Sequence, residues 1–416
     1  MLTSFFTGMS GVSANSQAIN VIGNNLANIN TTGFKSARTN FAELLGSLSY
    51  SADGNPIQVG LGTVSAGVSP LFTQGSIQTT GRSTDVAISG SGFFVVSTGT
   101  GNAYTRAGNF SFSGTGELVN SDGYTVMGYM ASAGVINANA TLSPITIQGS
   151  RNLPPKATTN LGITANLDSQ AAWAPASSFS TAVQIFDSLG LAHTVTFTFT
   201  KTGATDWNWQ ASIPALDTAG GVSGDPPVAI GSGTFKFDGS GVMTDPTANP
   251  TLSITDLADG ATDNDITFQV FDTNGLPRFT GNSGASATSS VSQDGYASST
   301  LRDVAIDGAG VIRGIYDNGQ VNPLAQLAIG NFNNPEGLLK FTGSCFVKAA
   351  SSGEASVGTA RTGGRGTVNG SSLELSNVDI AEQFTNLIVA QRGYQANSRV
   401  ITTTDELYQE AINLKR

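Results

Sequence analysis

A seven-residue apolar repeat begins within residues 376–407, SNVDIAEQFTNLIVAQRGYQANSRVITTTDEL, near the C-terminal end of the chain, and continues to Ile412. Five residues recur every seven positions: Ile380, Leu387, Tyr394, Ile401 and Tyr408. The positions four residues after each of them lie on the same side of the helix, and we call them offset positions. Two of these are apolar, Phe384 and Ile412. This spacing predicts a long helix with one apolar ridge, as in coiled coils. Polar residues hold the remaining offset positions: Gln391, Ser398 and Asp405. Ser376 and Asp379 resemble a capping box at the start of this helix.

The other end of the chain predicts a matching helix. Residues 1–34 contain no Asp, Glu, Lys, Arg or His, and Lys35 is the first charged residue. Seven apolar residues fall close to a three-four spacing: Phe5, Met9, Val12, Ile19, Ile22, Leu26 and Ile29. The pattern is typical of an amphipathic helix, but Gly8, Gly11 and Gly23 make such a helix marginal when it is alone in water. We therefore expect the two terminal helices to lie together.

The middle of the chain predicts β-structure. Residues 193–199, HTVTFTF, alternate apolar and polar side chains, and hairpin dipeptides such as Asp294-Gly295 punctuate the sequence. The predicted fold is mainly β with α-helical termini, in which an outer antiparallel β-domain is inserted into an inner one. Linkers are expected at 149–156 and 281–299. The predicted segments are a terminal helical domain at 1–35 and 373–416, an extended connector at 36–79, an inner β-domain at 80–148 and 300–372, and an outer β-domain with its linkers at 149–299.

Composition argues against several classes of function. The net charge is −10 and the sequence pI is about 4.5, so we expect no nucleic-acid partner. No apolar run approaches the ~20 residues needed to cross a bilayer, so we expect no membrane insertion. The first residues, MLTSFFTGMSGVSANS, lack the basic and continuous apolar regions of a cleavable secretory signal. If the protein is extracellular, we expect it to leave by another route.

The sequence predicts no catalytic residue, no cofactor and no metal site. His193 is the only histidine, which excludes a two-histidine metal site, and we expect it to be a packed strand residue. Cys345 is the only cysteine, and we expect it to be a buried apolar residue. Four acidic residues lack the spacing of a calcium-binding EF-hand, so we expect a solvated loop: Asp256, Asp259, Asp263 and Asp265. A carboxylate pair suited to glycoside hydrolysis stays open at this point.

Several segments resemble one known family. Residues 24–28, NNLAN, followed by 31–35, TTGFK, closely resemble the N-terminal signature of the flagellar rod and hook proteins. Residues 376–407 resemble the C-terminal helix of that family, and TGRSTDVAISGSGFFVV at 80–96 with YTRAGNFSFSGTGELVNSDGYTVMG at 104–128 resembles its shared β-domain. The resemblance implies ten family-motif residues: Asn24, Asn25, Asn28, Gly33, Phe34, Lys35, Asn377, Gln391, Arg392 and Asn397.

The middle of the chain favours the hook members of this family over the rod members. Residues 183–209, VQIFDSLGLAHTVTFTFTKTGATDWNW, resemble an outer domain that the shorter rod proteins lack. The resemblance implies a self-assembling extracellular subunit of a curved tube that transmits motor torque and is exported by the flagellar type III apparatus without a cleaved signal peptide. Its implied partners are copies of itself, the distal rod, the hook cap, the hook–filament junction protein and the export apparatus. We expect the helical domain at 1–35 and 373–416 to be the polymerisation domain, and the fourteen apolar ridge residues of its two helices to form the assembly interface with those copies.

Three alternatives to a hook subunit stay open from the sequence. A distal rod protein shares the terminal signatures and the first β-domain. A secreted β-rich adhesin or glycan-binding protein, and a glycosidase-like enzyme, fit the β-rich composition alone. Only the polymer subunits predict tubes, so electron microscopy of the purified protein separates these classes.

Overall fold

The computed structural model describes residues 2–44, 47–50, 56–132, 134–173 and 175–413. Within these residues the protein is mainly β with a helix at each end, which confirms the predicted fold class. Two compact units divide the chain: unit 1 comprises 1–150, 302–315 and 321–416, and unit 2 comprises 151–301 and 316–320. Parts of the predicted segments lie outside the described residues: 1 and 414–416 of the polymerisation domain, 45–46 and 51–55 of the connector, 133 of the inner domain and 174 of the outer domain.

The two terminal helices pack on each other in unit 1. α1 runs over Leu2–Ala27 and α2 over Ile380–Asn413. Asp379 caps α2, because its Oδ1 accepts hydrogen bonds from the backbone N–H groups two and three residues later, at 2.8 and 3.1 Å. The predicted capping box is therefore wrong in register, since Asp379 is itself the N-cap and Ser376 precedes the helix. Neither helix, over its described residues, is long and apolar enough to cross a membrane.

The part of unit 1 that precedes unit 2 in the sequence contains mostly short strands. They are β1 (Ala37–Glu43), β2 (Ser47–Tyr50), β3 (Pro56–Val59), β4 (Thr63–Pro70), β5 (Ile77–Thr79), β6 (Val86–Ser89), β7 (Phe93–Ser97), β8 (Asn102–Thr105), β9 (Ser111–Phe112), β10 (Leu118–Val119), β11 (Thr125–Ser132), β12 (Val135–Ile136) and β13 (Ser143–Pro144). β1 pairs antiparallel with β4, and β2 with β3. The segment predicted as an extended connector thus contains two paired ribbons.

Unit 2 consists mainly of two sheets around one apolar core. Its strands are β14 (Asn152–Leu153), β15 (Asn160–Asn166), β16 (Ser178–Phe186), β17 (Ala192–Lys201), β18 (Asp206–Ile213), β19 (Val228–Phe237), β20 (Met243–Asp245), β21 (Thr251–Ile254), β22 (Asn264–Gln269), β23 (Phe279–Thr280) and β24 (Ala287–Gln293). β16 to β20 form one antiparallel sheet in chain order, and β15 with β21 to β24 forms the other.

The alternating sequence of β17 explains how this core forms. His193, Val195, Phe197 and Phe199 are buried, and the threonines between them face away from the core. The Phe197 ring lies 4.7 Å from that of Phe268 on the opposite sheet, centroid to centroid. Burial of alternate side chains is what a sheet with one covered face requires. The expected packing of His193 is thus confirmed.

Two details of unit 2 differ from the sequence prediction. β15 pairs parallel with β22 and β23, although the domain was predicted to be antiparallel. The reason is topological: the chain builds the whole other sheet between β15 and β22, and parallel neighbours need such a long connection. Residues 281–299, predicted as a linker, contain β24, which pairs with β15 as an exposed strand of small polar residues.

The chain returns to unit 1 within β25. The strands of this last part are β25 (Ser299–Ile306), β26 (Val311–Tyr316), β27 (Val321–Leu327), β28 (Ile329–Asn331), β29 (Leu339–Lys340), β30 (Cys345–Val347), β31 (Ser356–Gly358), β32 (Thr367–Gly370) and β33 (Ser372–Glu374). A sheet in the order β26-β27-β11-β7-β8-β30-β29 buries the rings of Phe93, Tyr104, Phe332 and Phe346. Cys345 is buried as predicted, and burial raises the pKa of its thiol to about 11.

Candidate assembly interface

The predicted assembly residues fall into two groups in the structure. Nine are buried or half-buried: Phe5, Val12, Ile19, Ile22, Leu26, Ile29, Leu387, Ile401 and Tyr408. Five are exposed: Met9, Ile380, Phe384, Tyr394 and Ile412. The first group stabilises the fold of the chain itself, and the second presents apolar surface to its surroundings.

Small residues allow close contact between α1 and α2. Three form the buried cluster of this contact and three pack against it: Ala18, Ile22 and Ala390, then Ile19, Leu26 and Leu387. A Cβ placed on Gly11 would lie 2.6 Å from the side chain of Asn397, and one on Gly8 would lie 3.1 Å from Ile401. At Gly23 a Cβ would meet nothing within 4 Å. Gly8 and Gly11, which the sequence analysis treated only as weakening a helix, thus permit the close approach.

The buried face of α2 is displaced by one residue from part of the predicted ridge. Its buried or half-buried residues include Gln383, Leu387, Ala390, Asn397, Ile401, Thr404 and Tyr408. The predicted offset residue Phe384 lies one position beyond Gln383 and is exposed, as is Gln391 beyond Ala390. One residue turns a side chain by about 100° around a helix of 3.6 residues per turn. The offset positions that contact the rest of the chain are therefore mostly small or polar.

Further apolar side chains on the helices are exposed. The sequence analysis missed five of them: Phe6, Ile388, Val389, Val400 and Leu407. The consecutive residues Leu387, Ile388 and Val389 carried a readable signal, because three adjacent apolar residues on a helix point in different directions. Val389 is 65% exposed. Exposed apolar surface on this scale marks an interaction site.

A groove of about 390 Å³ lies between α1, α2 and β1. Ile22, Phe41, Leu71 and Val389 contribute apolar side chains to its lining. Asn386 is among the polar residues that line it. Arg38 and Glu382 also line the groove, so it is large enough for a side chain from another molecule and offers that side chain both apolar and charged contacts.

Asn25 connects both helices to the start of β1. It is only 1% exposed. Its Nδ2 donates hydrogen bonds to Ala37 O (2.8 Å) and to Gln383 Oε1 (3.0 Å), and its Oδ1 accepts one from Ala37 N (3.0 Å). A buried side-chain amide with its groups paired in this way is directional, so it fixes the relative position of three segments. Gln383 was not among the predicted residues.

Glu374, at the end of β33, binds two cationic side chains inside unit 1. Its Oε1 accepts hydrogen bonds from Lys35 Nζ (2.6 Å) and from the backbone N–H of Gly75 (2.9 Å), and its Oε2 accepts one from Arg106 (3.3 Å). The side chains of Lys35 and Glu374 are both 0% exposed. Burial lowers the pKa of Lys35, although the charge of Glu374 opposes that shift. The three side chains hold together segments that are far apart in the sequence.

Gly33 and Asn377 complete this junction between the helices and the strands. Gly33 has a φ of 67° and donates its N–H to Glu374 O at 2.8 Å. A Cβ there would lie 2.4 Å from Ala107 N, so only glycine fits. Asn377 Oδ1 accepts a hydrogen bond from Ser36 N at 2.7 Å. The segment that follows α1 is therefore bonded to the segment that precedes α2.

The remaining motif residues lie on or near the helices. Phe34 is buried, and Lys340 Nζ lies 4.6 Å from its ring centroid. Asn28 and Asn397 each donate a hydrogen bond to the carbonyl oxygen four residues earlier. The last three are exposed: Asn24, Gln391 and Arg392.

Comparisons with known proteins agree along the whole chain. The matching family models are flagella basal body rod protein (residues 5–35), flagellar hook protein FlgE/F/G D1 domain (87–166), flagellar basal body protein FlaE D2 domain (162–296) and flagellar basal body rod FlgEFG protein C-terminal (370–414). Flagellar hook protein FlgE of Treponema pallidum (strain Nichols) is 36% identical, with 100% of both chains covered. The chain belongs to the flagellar hook protein family.

Other hook proteins support the same relationship. FlgE of Escherichia coli (strain K12) is 34% identical over 99% of this chain and 100% of its own. The crystal structure of the Helicobacter pylori flagellar hook protein FlgE2 has a TM-score of 0.54 at 16% identity, over 71% of this chain and 100% of that chain. This structural likeness concerns the fold alone. The hook-protein family is a family of structural flagellar proteins, and the chain is a component of the bacterial flagellar hook.

Proposed function

We propose that this chain is a structural subunit of the flagellar hook, which assembles with copies of itself into a curved, flexible tube and transmits motor torque to the filament. Full-length similarity to hook proteins favours this role over that of a distal rod protein, an adhesin or a glycosidase. In this role the subunit is not an enzyme. Its chemistry is recognition of other protein surfaces.

The exposed apolar side chains of α1 and α2 carry this proposal. They lie on helices that already pack on each other inside one chain, so the remaining apolar faces are free for contacts with neighbouring copies. Full burial of each aliphatic side chain contributes about 1.5 to 3 kcal/mol. The groove between α1, α2 and β1 receives an apolar side chain of such a neighbour.

We assign separate tasks to the segments of the chain. Residues 1–35 and 373–416 form the polymerisation domain, 36–79 connects it to the inner β-domain at 80–148 and 300–372, and 149–299 forms an outer domain that biases tube shape. The match of the D2-domain model to 162–296 supports the last assignment.

The uncharged N-terminal segment suits a tube that bends. Contacts between apolar ridges and neutral polar side chains can change their offsets without leaving a buried ion unpaired, which would be costly. Residues 1–34 contain no charged side chain, and Asn, Ser and Gln on α1 can exchange hydrogen-bond partners. We infer that this neutrality lets subunits slide against one another as the tube curves.

Further partners follow from the family resemblance. They are the distal rod, the hook cap, the hook–filament junction protein and the flagellar export apparatus. The subunit is extracellular and is exported without a cleaved signal peptide. Mass spectrometry of the assembled protein tests the export route: retention of residues 2–16 supports it, and their removal contradicts it.

Seeded polymerisation followed by electron microscopy tests the assembly function. Val389→Asp places a charge on the exposed apolar face, so it should prevent tube formation while leaving the subunit folded. Tryptophan fluorescence checks the fold of unit 2, because Trp173, Trp207 and Trp209 all lie there. Far-UV circular dichroism checks the whole chain.

Val135→Asp provides the control, because Val135 is similarly exposed in unit 1 but lies on β12, which pairs with β11, instead of on a helix. This variant should form tubes. Normal tubes from the Val389 variant would show that its face of α2 is not an interface. Failure of the wild-type chain to form any tubes under seeding would contradict the proposed function itself.

A further inference from the structure

Four ionisable side chains converge at one end of unit 2. His193 lies near the start of β17, Asp187 in the turn before it, Asp217 in a 3-10 helix after β18, and Asp259 in the loop after β21. His193 Nε2 is 3.0 Å from Asp187 Oδ2, and His193 Nδ1 is 3.2 Å from Asp217 Oδ2. One ligand atom each from Asp187, His193 and Asp259 lies within 4.8 Å of the others. We refer to these four residues as the His193 group.

The turn before β17 holds Asp187 in one orientation. Its Oδ1 accepts hydrogen bonds from the backbone N–H groups of Leu189 (2.8 Å) and Leu191 (2.9 Å). This leaves Oδ2 directed at His193. Asp187 and His193 are 2% and 3% exposed, respectively. The pair is therefore fixed by the fold before any ligand binds.

Hydrogen bonds between loops position the other two carboxylates. Ala258 N donates to Asp217 O at 3.0 Å, so the loops that carry Asp217 and Asp259 are directly bonded. Thr262 N donates to Ser188 Oγ at 3.1 Å, which bonds the second of these loops to the turn that carries Asp187. Asp259 is exposed and borders the solvent. Three loops thus meet around one imidazole.

The charge of the His193 group favours a bound cation. Three carboxylates surround one imidazole, and among the described residues none of the three forms an ion pair with Lys or Arg. Even a protonated imidazole leaves the group with excess negative charge.

The second ring nitrogen of His193 provides an independent observation. Nδ1 is buried, and within the described structure no hydrogen bond of acceptable angle satisfies it. Asp217 Oδ2 lies 3.2 Å away, close enough to accept a proton from Nδ1 after a small rotation. Metal-binding histidines usually donate their other ring N–H to a carboxylate in this way. Asp217 therefore fits the role of the carboxylate that orients the imidazole.

We propose that Asp187 Oδ2, His193 Nε2 and the Asp259 carboxylate bind one divalent transition-metal ion, with Asp217 accepting the hydrogen bond from His193 Nδ1. The ion replaces the proton between His193 Nε2 and Asp187, and that proton leaves to solvent. Water completes the coordination on the exposed side, next to Asp259.

The ligand set selects the type of metal. Ca²⁺ and Mg²⁺ prefer oxygen ligands alone, whereas one imidazole with two carboxylates suits Zn²⁺, Co²⁺ or Mn²⁺. Ligands about 2.0 to 2.2 Å from a tetrahedral Zn²⁺ are separated from each other by about 3.3 Å. The 3.0 Å between His193 Nε2 and Asp187 Oδ2 is already near that separation. Asp259, on its exposed loop, offers the third ligand atom, within 4.8 Å of the other two.

Zn²⁺ titration of the tag-free full-length chain tests the proposal by isothermal calorimetry after treatment with a chelator. The wild type should bind one Zn²⁺ per chain. Bound Zn²⁺ should also raise the midpoint of tryptophan-monitored unfolding, because a ligand that binds only the folded state stabilises it. Co²⁺ absorption should report a nitrogen and oxygen ligand set of low symmetry.

Three variants separate the His193 group from other binding. Asp259→Asn removes an exposed ligand and should lower Zn²⁺ affinity by more than about tenfold, and Asp217→Asn should lower it by about 10- to 100-fold. Asp256→Asn makes the same charge change in the same exposed loop and should leave affinity within about twofold. Absence of saturable binding to the wild type overturns the proposal. Equal affinities of the Asp259 and Asp256 variants also overturn it, because the ion would then bind elsewhere.

Discussion

Glu374 carries the only carboxylate within hydrogen-bond distance of both Lys35 and Arg106 in the described structure. Glu374→Gln would keep the shape of the side chain but leave two buried cations without a counter-ion. Removal of one partner from a buried ion pair costs about 3 to 5 kcal/mol. We expect hydrogen exchange at the amides of Gly33 and Gly75, which both bond to Glu374, to show a loss of protection of this size.

The exposed pair Lys348–Glu354 provides the control for this substitution. Lys348 Nζ lies 2.7 Å from Glu354 Oε1, but the side chain of Glu354 is 83% exposed. Surface pairs contribute between about 0 and 1 kcal/mol. Glu354→Gln should therefore leave the same amides protected. Equal protection in the Glu374 variant would show that the cations find water or other partners.

Asp294 offers a test through pH. Burial raises the pKa of its carboxyl, but hydrogen bonds from Asn160 and Thr159 outweigh burial and hold the pKa far below its ordinary value. Asp294→Asn weakens bonds to a charged acceptor, so we expect unit 2 to lose about 1 to 3 kcal/mol of stability at neutral pH. Tryptophan-monitored denaturation measures this loss.

The pH dependence of that loss has a defined sign. A carboxyl whose folded pKa is depressed contributes stability that is present above the unfolded pKa of about 3.9 and is lost as pH falls through the folded pKa. The difference between wild type and Asp294→Asn should stay constant from about pH 5 to 7 and shrink below about pH 4. A difference that is the same at every pH would assign the effect to shape instead of charge. Asp256→Asn, on an exposed loop, should match the wild type throughout.

At the scale of single residues, the sequence identifies only one of the two residues in each buried contact. Lys35 stands out because 34 uncharged residues precede it, and Asn25 and Asn377 stand out by family resemblance. Their partners do not stand out, because Glu374 lies 339 positions from Lys35 and Gln383 lies 358 positions from Asn25. Spacing rules act over a few turns of a helix and carry no information across such distances.

The two helices raise a question of register that cross-linking can answer. A Cβ on Gly11 would lie 2.6 Å from the side-chain amide of Asn397, so the two Cβ atoms come within about 4 Å, inside the range of a disulfide. In the variant with Gly11→Cys and Asn397→Cys, mild oxidation of assembled tubes should join the helices within each chain. Denaturing electrophoresis without reductant should then show single chains.

The controls for cross-linking come from the same helices. Gly23→Cys combined with Asn397→Cys should give no bond within a chain, because Gly23 faces open space. Cys345 should not interfere, since burial keeps its thiol protonated with a pKa of about 11. A ladder of linked chains from the Gly11 variant would mean that α1 pairs with α2 of a neighbour in the tube.

At the scale of elements, periodicity predicted the helices but not which faces they bury. Leu387 and Ile401 were predicted to contact neighbouring subunits, and the structure shows both side chains half-buried within the chain itself. The offset side did not match the structure at Phe384, which is exposed, because on that side α2 meets α1 through Ala390, Gly393 and Asn397. Small residues do not contribute to the apolar periodicity of a sequence, although they determine how closely two helices can approach each other.

Removal of unit 2 tests its proposed role in tube shape. Joining Ser150 to Arg302 through a short flexible linker deletes 151–301 and leaves unit 1 with its own core and both helices. We expect tubes that are straight or aberrantly bent, since the outer domain is proposed to select curvature. Electron microscopy of hooks on cells that produce the variant measures the shape.

The same linker inserted between Ser150 and Arg151 without a deletion is the matched control, and it should give normally curved tubes. Circular dichroism should show a folded deletion variant. Complete absence of tubes from a folded, exported deletion variant would contradict the proposed division of tasks.

At the scale of the whole molecule, strand alternation and turn dipeptides were enough to predict a β-rich middle. They could not predict the parallel pairing of β15, which depends on a connection through the other sheet. They also could not reveal the His193 group, whose carboxylates come from three loops at 187, 217 and 259. The acidic loop was expected to be solvated, and its four aspartates are indeed exposed, yet Asp259 lies beside a buried histidine.

The convergence of contacts on Glu374 has a mechanical consequence. Its side chain and backbone carbonyl bond to Gly33, Lys35, Gly75 and Arg106, and all of these contacts meet at one residue. A force that pulls the helices away from the β-strands must therefore strain several of them together, whereas contacts arranged in a row would rupture one after another. Parallel loading raises the force needed for failure without requiring any single strong bond. A subunit that transmits torque, as proposed here, benefits from an attachment of this kind, since the chain can deform elsewhere while this junction holds.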